Sequence, residues 1–260
     1  MKQFILSNQP DSDNIVRLDG KDFRYLVRVR RFATGEYFPA LLPNGKETLV
    51  QILSIDNEHG ILTGRCTEQE TTAGSSLPQI ILFQALPKGD KMDLIVRQAA
   101  EGGVTEIVPF VSEFSFAKKN AGGQKFLRWQ RIIKEARQQS GSKTATAIRS
   151  PLTMEELFDY WKKIKNESVG LLFHHTGLEK NSLHGYLKNV NKIVVLAIGP
   201  EGGFSGAEVS FFKKEGFKLF TIGDTILRTE TAALYCTAAI RILLLEKDSW
   251  ELKQAITNNG

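Results

Sequence analysis

Two stretches in the last third of the chain carry residues that could do chemistry. "IGPEGGFSGAE" spans residues 198–208 and "IGDTILRTETAA" spans 222–233. In the first, an apolar run stops at Gly199-Pro200-Glu201-Gly202-Gly203, and a helical pattern restarts beyond it. Glycines tolerate positive φ and let a backbone come close to a ligand, and Pro200 stiffens the turn. Such a loop is either ordinary β-to-α punctuation or a floor on which a cofactor lies. The second stretch holds Arg228 and Glu230. An arginine there can stabilise an anion or a phosphate, and a carboxylate can position a group or accept a proton. Glu230 reads equally as an acid at a helix N-terminus, where the macrodipole favours it. Glu201 either holds its own loop or orients a ligand, and Thr229 and Thr231 are candidate helix caps.

Other chemistries are excluded. There is no G-x-x-x-x-G-K-[ST] phosphate loop, and no G-x-G-x-x-G after the first strand of the α/β region, so a dinucleotide oxidoreductase lacks its fingerprint. His174 and His175 are adjacent, with no Cys or third His spaced to join them, so no metal is expected. Cys66 and Cys236 form no ligand motif, which fits a reduced, cytoplasmic protein. Met1-Lys2-Gln3-Phe4 opens no signal peptide, and no apolar run reaches the ~18 residues of a membrane span.

These loops need a scaffold. The chain has 260 residues, 42% hydrophobic and 24% charged, enough for one large domain or two modest ones with a real core. Its formal net charge of +5 favours a polyanionic partner. The first ~70 residues read as β-rich, with one hairpin signal at Pro43-Asn44-Gly45 and a second over 57–60; short strands with tight turns predict a small barrel. Arg24, Arg28, Arg30 and Arg31 crowd one segment among Phe23, Tyr25 and Phe32. That is either an RNA-facing surface, cations for phosphate and rings for bases, or an amphipathic segment with solvated arginines. "TTAGSSLP" (71–78) reads as a linker.

Beyond it, strands alternate with helices. "QIILFQAL" is a buried strand, followed by a helix with Met92, Ile95, Val96 and Ala99 on one face and Asp90 able to cap it. Trp129, Ile132, Ile133 and Ala136 mark a second helix. Thr153 with Glu156 and Ser205 with Glu208 have the spacing of capping boxes for two more. A last helix is predicted over about 230–246, with a polar tail after it. The alternation predicts a mainly parallel α/β sheet, with ligands at the carboxyl ends of its strands.

The paired stretches at 198–208 and 222–233 resemble the signature of the bacterial 16S ribosomal RNA uridine-N3 methyltransferase family, within the SPOUT or α/β-knot methyltransferases. "LPKGDKMDLIVRQAAEGGVTEIVPFVSEFS" (86–115) and "RWQRIIKEARQQSG" (128–141) are similar to family segments too. The resemblance implies an α/β protein with a PUA-like RNA-binding β-barrel over 1–72, a SPOUT domain with a deep trefoil knot over 73–250, and a tail over 251–260. It implies S-adenosylmethionine as cofactor, held by Leu172, Phe173 and His174, by Ile198, Gly199, Pro200, Glu201, Gly202 and Gly203, and by Ile222, Gly223, Leu227, Thr229, Thr231 and Ala232. Arg228 and Glu230 become the catalytic candidates. Arg24, Arg28, Arg30, Arg31, Lys88 and Lys91 become the RNA contacts. The expected reaction is methylation of uridine N3 in 16S rRNA of the 30S subunit by a homodimer with no membrane association. A SPOUT ribose 2′-O-methyltransferase and a non-catalytic ribosome-assembly protein are the alternatives. The sequence departs from the family at Thr225 and Ser142, where an arginine is usual, at Gln98, often a lysine, and at Gly102, usually a leucine. Those departures bear on individual RNA contacts and leave both glycine loops intact.

Overall fold

The computed structural model describes residues 4–68, 77–115, 123–175, 183–190 and 192–246. Most of the linker read at 71–78, and with it the expected boundary after residue 72, lies outside them, as does the polar tail. The chain divides into two units: Met1–Ser75 with Arg137–Ala145, and Ser76–Ala136 with Thr146–Gly260.

The first unit is built on β1 (Phe4–Ile5), β2 (Ile15–Leu18), the single turn α1 (Gly20–Phe23), β3 (Tyr37–Leu41), β4 (Glu47–Asp56) and β5 (Ile61–Glu68). The sheet order is β1-β3-β4-β5-β2. Both predicted hairpins form. Gly45 closes the first at φ +88, and the Asp56 carboxylate accepts the Glu58 and His59 N–H groups at the second, both at 3.0 Å. A register shift between Ile52 and Ser54 puts a bulge in β4, which bends a strand locally.

The arginine-rich segment winds as a π-type helix over Arg24–Val29. Arg24, Arg28, Arg30 and Arg31 are exposed, but the rings among them do not face outward as bases would require. Phe23 and Leu26 are buried, and Tyr25 and Phe32 pack against the same core. Phe4 stacks on Tyr25 at 6.2 Å, and Phe32 meets Phe38 at 5.5 Å. Along this segment the rings pack inward and the arginines lie exposed, with the Arg30 guanidinium 5.4 Å from the centre of the Phe32 ring.

The second unit contains β6 (Gln79–Ala85), α2 (Lys91–Glu101), β7 (Glu106–Phe110), all but the last turn of α3 (Gly123–Ser140), β8 (Ala147–Ile148), α4 (Met154–Ile164), β9 (Ser168–Phe173), α5 (Leu183–Leu187), β10 (Ile193–Ile198), α6 (Gly206–Lys214), β11 (Lys218–Phe220) and α7 (Thr229–Leu245). Its six strands lie in the order β11-β9-β10-β6-β7-β8, all paired parallel. A parallel sheet covered on both faces needs strands that are apolar throughout. Side chains alternate accordingly: Ile80 and Leu82 enter one core with α2, α3 and α7, while Ile81 and Phe83 enter the other with α4 and α6.

Both capping boxes are present. Thr153 Oγ1 accepts the Glu156 N–H at 3.2 Å and Ser205 Oγ accepts the Glu208 N–H at 3.3 Å, and each glutamate returns a hydrogen bond to its cap's N–H. Asp90 precedes α2 but its carboxylate caps nothing. Its carbonyl instead accepts the Asp93 N–H. No described helix is long and apolar enough to cross a membrane.

Candidate functional site

The carboxyl ends of β9, β10 and β11 and the start of α7 surround a cavity of about 290 Å³. β10 ends at Ile198 and the chain turns at once, with the Gly203 N–H donating to the Pro200 carbonyl at 2.9 Å. Gly203 holds φ +70, a conformation that side chains resist. Gly202 is small for a different reason: a Cβ there would lie 2.9 Å from Cβ of Phe114.

Two polar latches fix this loop. Glu201 accepts the Lys88 N–H on both carboxylate oxygens at 3.2 Å and the Lys91 Nζ at 2.6 Å. Burial pushes the Glu201 carboxyl up, but the Lys91 and backbone hydrogen bonds outweigh it and hold it below the usual carboxylate range. Lys91 also stands 4.0 Å from Glu230 Oε2, a buried oxygen without a hydrogen bond among the described residues. The second latch is Thr229. Its hydroxyl donates to the Gly199 carbonyl at 2.6 Å and accepts from Gln84 Nε2 at 3.0 Å. Thr229 is therefore a buried cross-tie. The cap position of α7 falls to Arg228, which makes no side-chain cap bond, and Thr231 lies inside the helix.

Of the residues expected to hold a cofactor, Phe173, His174, Ile198, Gly199, Pro200, Glu201, Gly202, Gly203, Ile222, Leu227, Thr229 and Ala232 border this cavity. Leu172 does not. Strand alternation turns it into the fully buried core with Phe83 and Val195. Gly223 and Thr231 are not on the wall either. Arg228 is exposed between two wall residues, and Glu230 stands behind the wall beside Lys91. His175, Phe204, Thr221, Thr225 and Ile226 complete the lining, each within two positions of a residue expected on the cofactor. Burial, then the charges of His175 and Lys213, lowers the His174 pKa below its ordinary value, so this wall imidazole is neutral at pH 7. Lys91, expected on RNA, is engaged by Glu201, whereas the Lys88 side chain is exposed.

A family model described as an RNA methyltransferase domain matches residues 75–241, the span that builds this cavity. The chain belongs to this RNA methyltransferase family. The ribosomal RNA small subunit methyltransferase E 2 of Borreliella burgdorferi is 32% identical over 247 residues, which is 94% of this chain and 98% of that protein. The ribosomal RNA small subunit methyltransferase E of Synechocystis is 32% identical over 232 residues, 88% of this chain and 73% of the relative. Among solved structures, the ribosomal RNA small subunit methyltransferase E of Neisseria gonorrhoeae bound to S-adenosyl methionine superposes with a TM-score of 0.77 at 27% identity, over 94% of this chain and 98% of that one.

The cross-tie gives a direct expectation for this RNA methyltransferase. Thr229→Val leaves the half-buried Gly199 carbonyl and a buried Gln84 N–H without their partner, and lowers the unfolding free energy by about 1–3 kcal/mol. Thr229→Ser keeps the hydroxyl and most of the stability. Chemical denaturation measures both; a valine variant as stable as the parent would remove Thr229 from this role.

Proposed function

We propose that this enzyme transfers a methyl group from S-adenosylmethionine to N3 of a uridine in the 16S rRNA of the small ribosomal subunit. The observation that carries this reading is the cavity walled by two glycine loops in a chain of the RNA methyltransferase family. The wall suits the cofactor. Ile198, Ile222, Ile226 and Leu227 offer apolar faces for a purine, and the loop backbones offer donors and acceptors for its edge. A Cβ on Gly203 would meet nothing within 4 Å, so glycine leaves that part of the cradle open. A neutral His174 adds no cation to a wall that would hold a positively charged cofactor.

When bound, S-adenosylmethionine supplies an electrophilic methyl group on a sulfonium whose S–C bond breaks with its electron pair staying on sulfur. The remaining chemistry belongs to the uracil and the protein. The N3–H proton must leave before or as the new N–C bond forms. Arg228, exposed between the wall residues Leu227 and Thr229, stabilises the negative charge left on the ring, and the proton passes to solvent. Glu230 sits beside Lys91 rather than on the wall, so it positions Lys91 and the first turn of α7. Fixing the reactants in line contributes much of the acceleration.

The exposed Arg24, Arg28, Arg30 and Arg31 fit phosphate contacts, in a first unit read as a PUA-like barrel, with Lys88 as a further cation on the methyltransferase unit. The C-terminal segment is read as a trefoil knot and the enzyme as a cytoplasmic homodimer. Supporting the dimer, α7 exposes Leu234, Tyr235, Ile242 and Leu245, and the neighbouring α2 exposes Leu94. Such an apolar stripe suits a self-complementary interface.

Three measurements test these assignments. Labelled methyl transfer to small subunits lacking the modification should yield 3-methyluridine by mass spectrometry, and Arg228→Ala should lower kcat/KM about a hundredfold with cofactor binding kept. Label on ribose, or an unimpaired alanine variant, would overturn the reaction or the role. Cofactor affinity should be flat above the ordinary histidine value of 6.5 and fall as pH drops through the lower value of His174, because protonation adds a cation to the wall. His174→Asn should abolish that acid-side loss, and a persistent loss would assign it elsewhere. Tyr235→Lys combined with Ile242→Lys should halve the solution mass by light scattering; an unchanged mass places the interface elsewhere.

A further inference from the structure

Phe114 stands where a core residue is not needed. It follows the apolar strand β7, whose Phe110 is fully buried, yet Phe114 is 49% exposed. Its backbone is held on both sides. The Ser115 N–H donates to the Ser112 carbonyl at 3.0 Å, and the Ser112 N–H donates to Ser115 Oγ at 3.1 Å. The Glu113 N–H donates to Glu208 Oε1 at 2.9 Å, while the other oxygen of Glu208 completes the capping box of α6. The side chain lies over Gly202: a Cβ on that glycine would be 2.9 Å from Cβ of Phe114 and 3.3 Å from its first ring carbon. Gly202 borders the cavity. An aromatic ring, half in water and carried on a braced turn, therefore lies against the loop that walls the site, at the carboxyl edge of the sheet.

None of the hydrogen bonds of this turn requires an aromatic residue, and exposing half a phenyl ring brings little burial to folding. A half-exposed ring beside an RNA enzyme's site has a definite use. A base buried in a helix must leave its stack to be reached, at a cost of a few kcal/mol, and an aromatic platform returns part of it. We propose that Phe114 stacks on the uracil ring that has left its own stack, and so helps to present the uridine at the methyl-donor cavity. This rests on the reading of the cavity as the site of an RNA uridine methyltransferase.

The test compares Phe114→Leu, which keeps apolar bulk over Gly202, with Phe114→Trp, which keeps a π-face. The leucine variant should raise the apparent KM for small subunits about tenfold, the size expected when one base–aromatic stack is lost, with cofactor affinity unchanged. The tryptophan variant should match the parent, and its emission should be quenched by a single-stranded oligouridine more than by the same backbone carrying abasic sugars. A leucine variant equal to the parent, or cofactor affinity falling together with RNA affinity, would make Phe114 only a brace for the loop. Those outcomes leave the proposed reaction standing. A parent enzyme that methylates no RNA would bring down that reaction, and this inference with it.

Discussion

One buried hydroxyl sets the spacing on which the site depends. Thr229 Oγ1 lies between the carbonyl just after β10 and a side chain near the end of β6, and Thr229 begins α7. The loop after β10 and the approach to α7 form opposite parts of one cavity, and this tie fixes their separation. Glu201 adds a second attachment to the segment that follows β6, through the Lys88 N–H and the Lys91 ammonium. The short stretch from Gln84 to Lys91 thus anchors both glycine loops, although it contributes none of the cavity lining. A site lined largely by backbone and apolar groups has few strong contacts of its own, so its shape must be imposed from behind.

Charge is used locally here rather than as a uniform basic coat. Lys91 is engaged by Glu201 at the loop, Arg128 by Asp93 and Arg149 by Glu106. In the first unit the four arginines point outward because the winding of Arg24–Val29 sends Leu26 and its flanking rings inward. One segment supplies both a hydrophobic plug and a cationic surface.

Helix faces and the two capping boxes were legible because their causes are local. Met92, Ile95, Val96 and Ala99 repeat at helical spacing, and Ser205 with Glu208 needs no distant partner. Sheet order was not legible: apolar strands buried on both faces look alike, and nothing nearby states which run pairs with which. The two-residue β8 and five-residue α5 are too short to show a period. Misplaced details have equally specific causes. Leu172 could have been assigned to the core by period-two alternation along β9. The arginine-and-ring segment admitted two readings, and the inward packing of its rings with the arginines exposed matches the amphipathic one. Lys91 could not be read as engaged, since its partner lies far along the chain, and Phe114 gave no signal before its contact with Gly202 was visible.

The order of the strands also governs how the chain can reach this structure. The central pair joins β6 at residues 79–84 to β10 at 193–198, with β9 lying on the far side of β10. During synthesis, β6 and β7 emerge early and can pair only with each other, while one edge of β6 waits for a strand more than a hundred residues later. Closing so long a loop costs entropy before any pairing rewards it. The sheet is completed only after nearly the whole chain has left the ribosome, and until then an apolar edge stands open to aggregation and to chaperones.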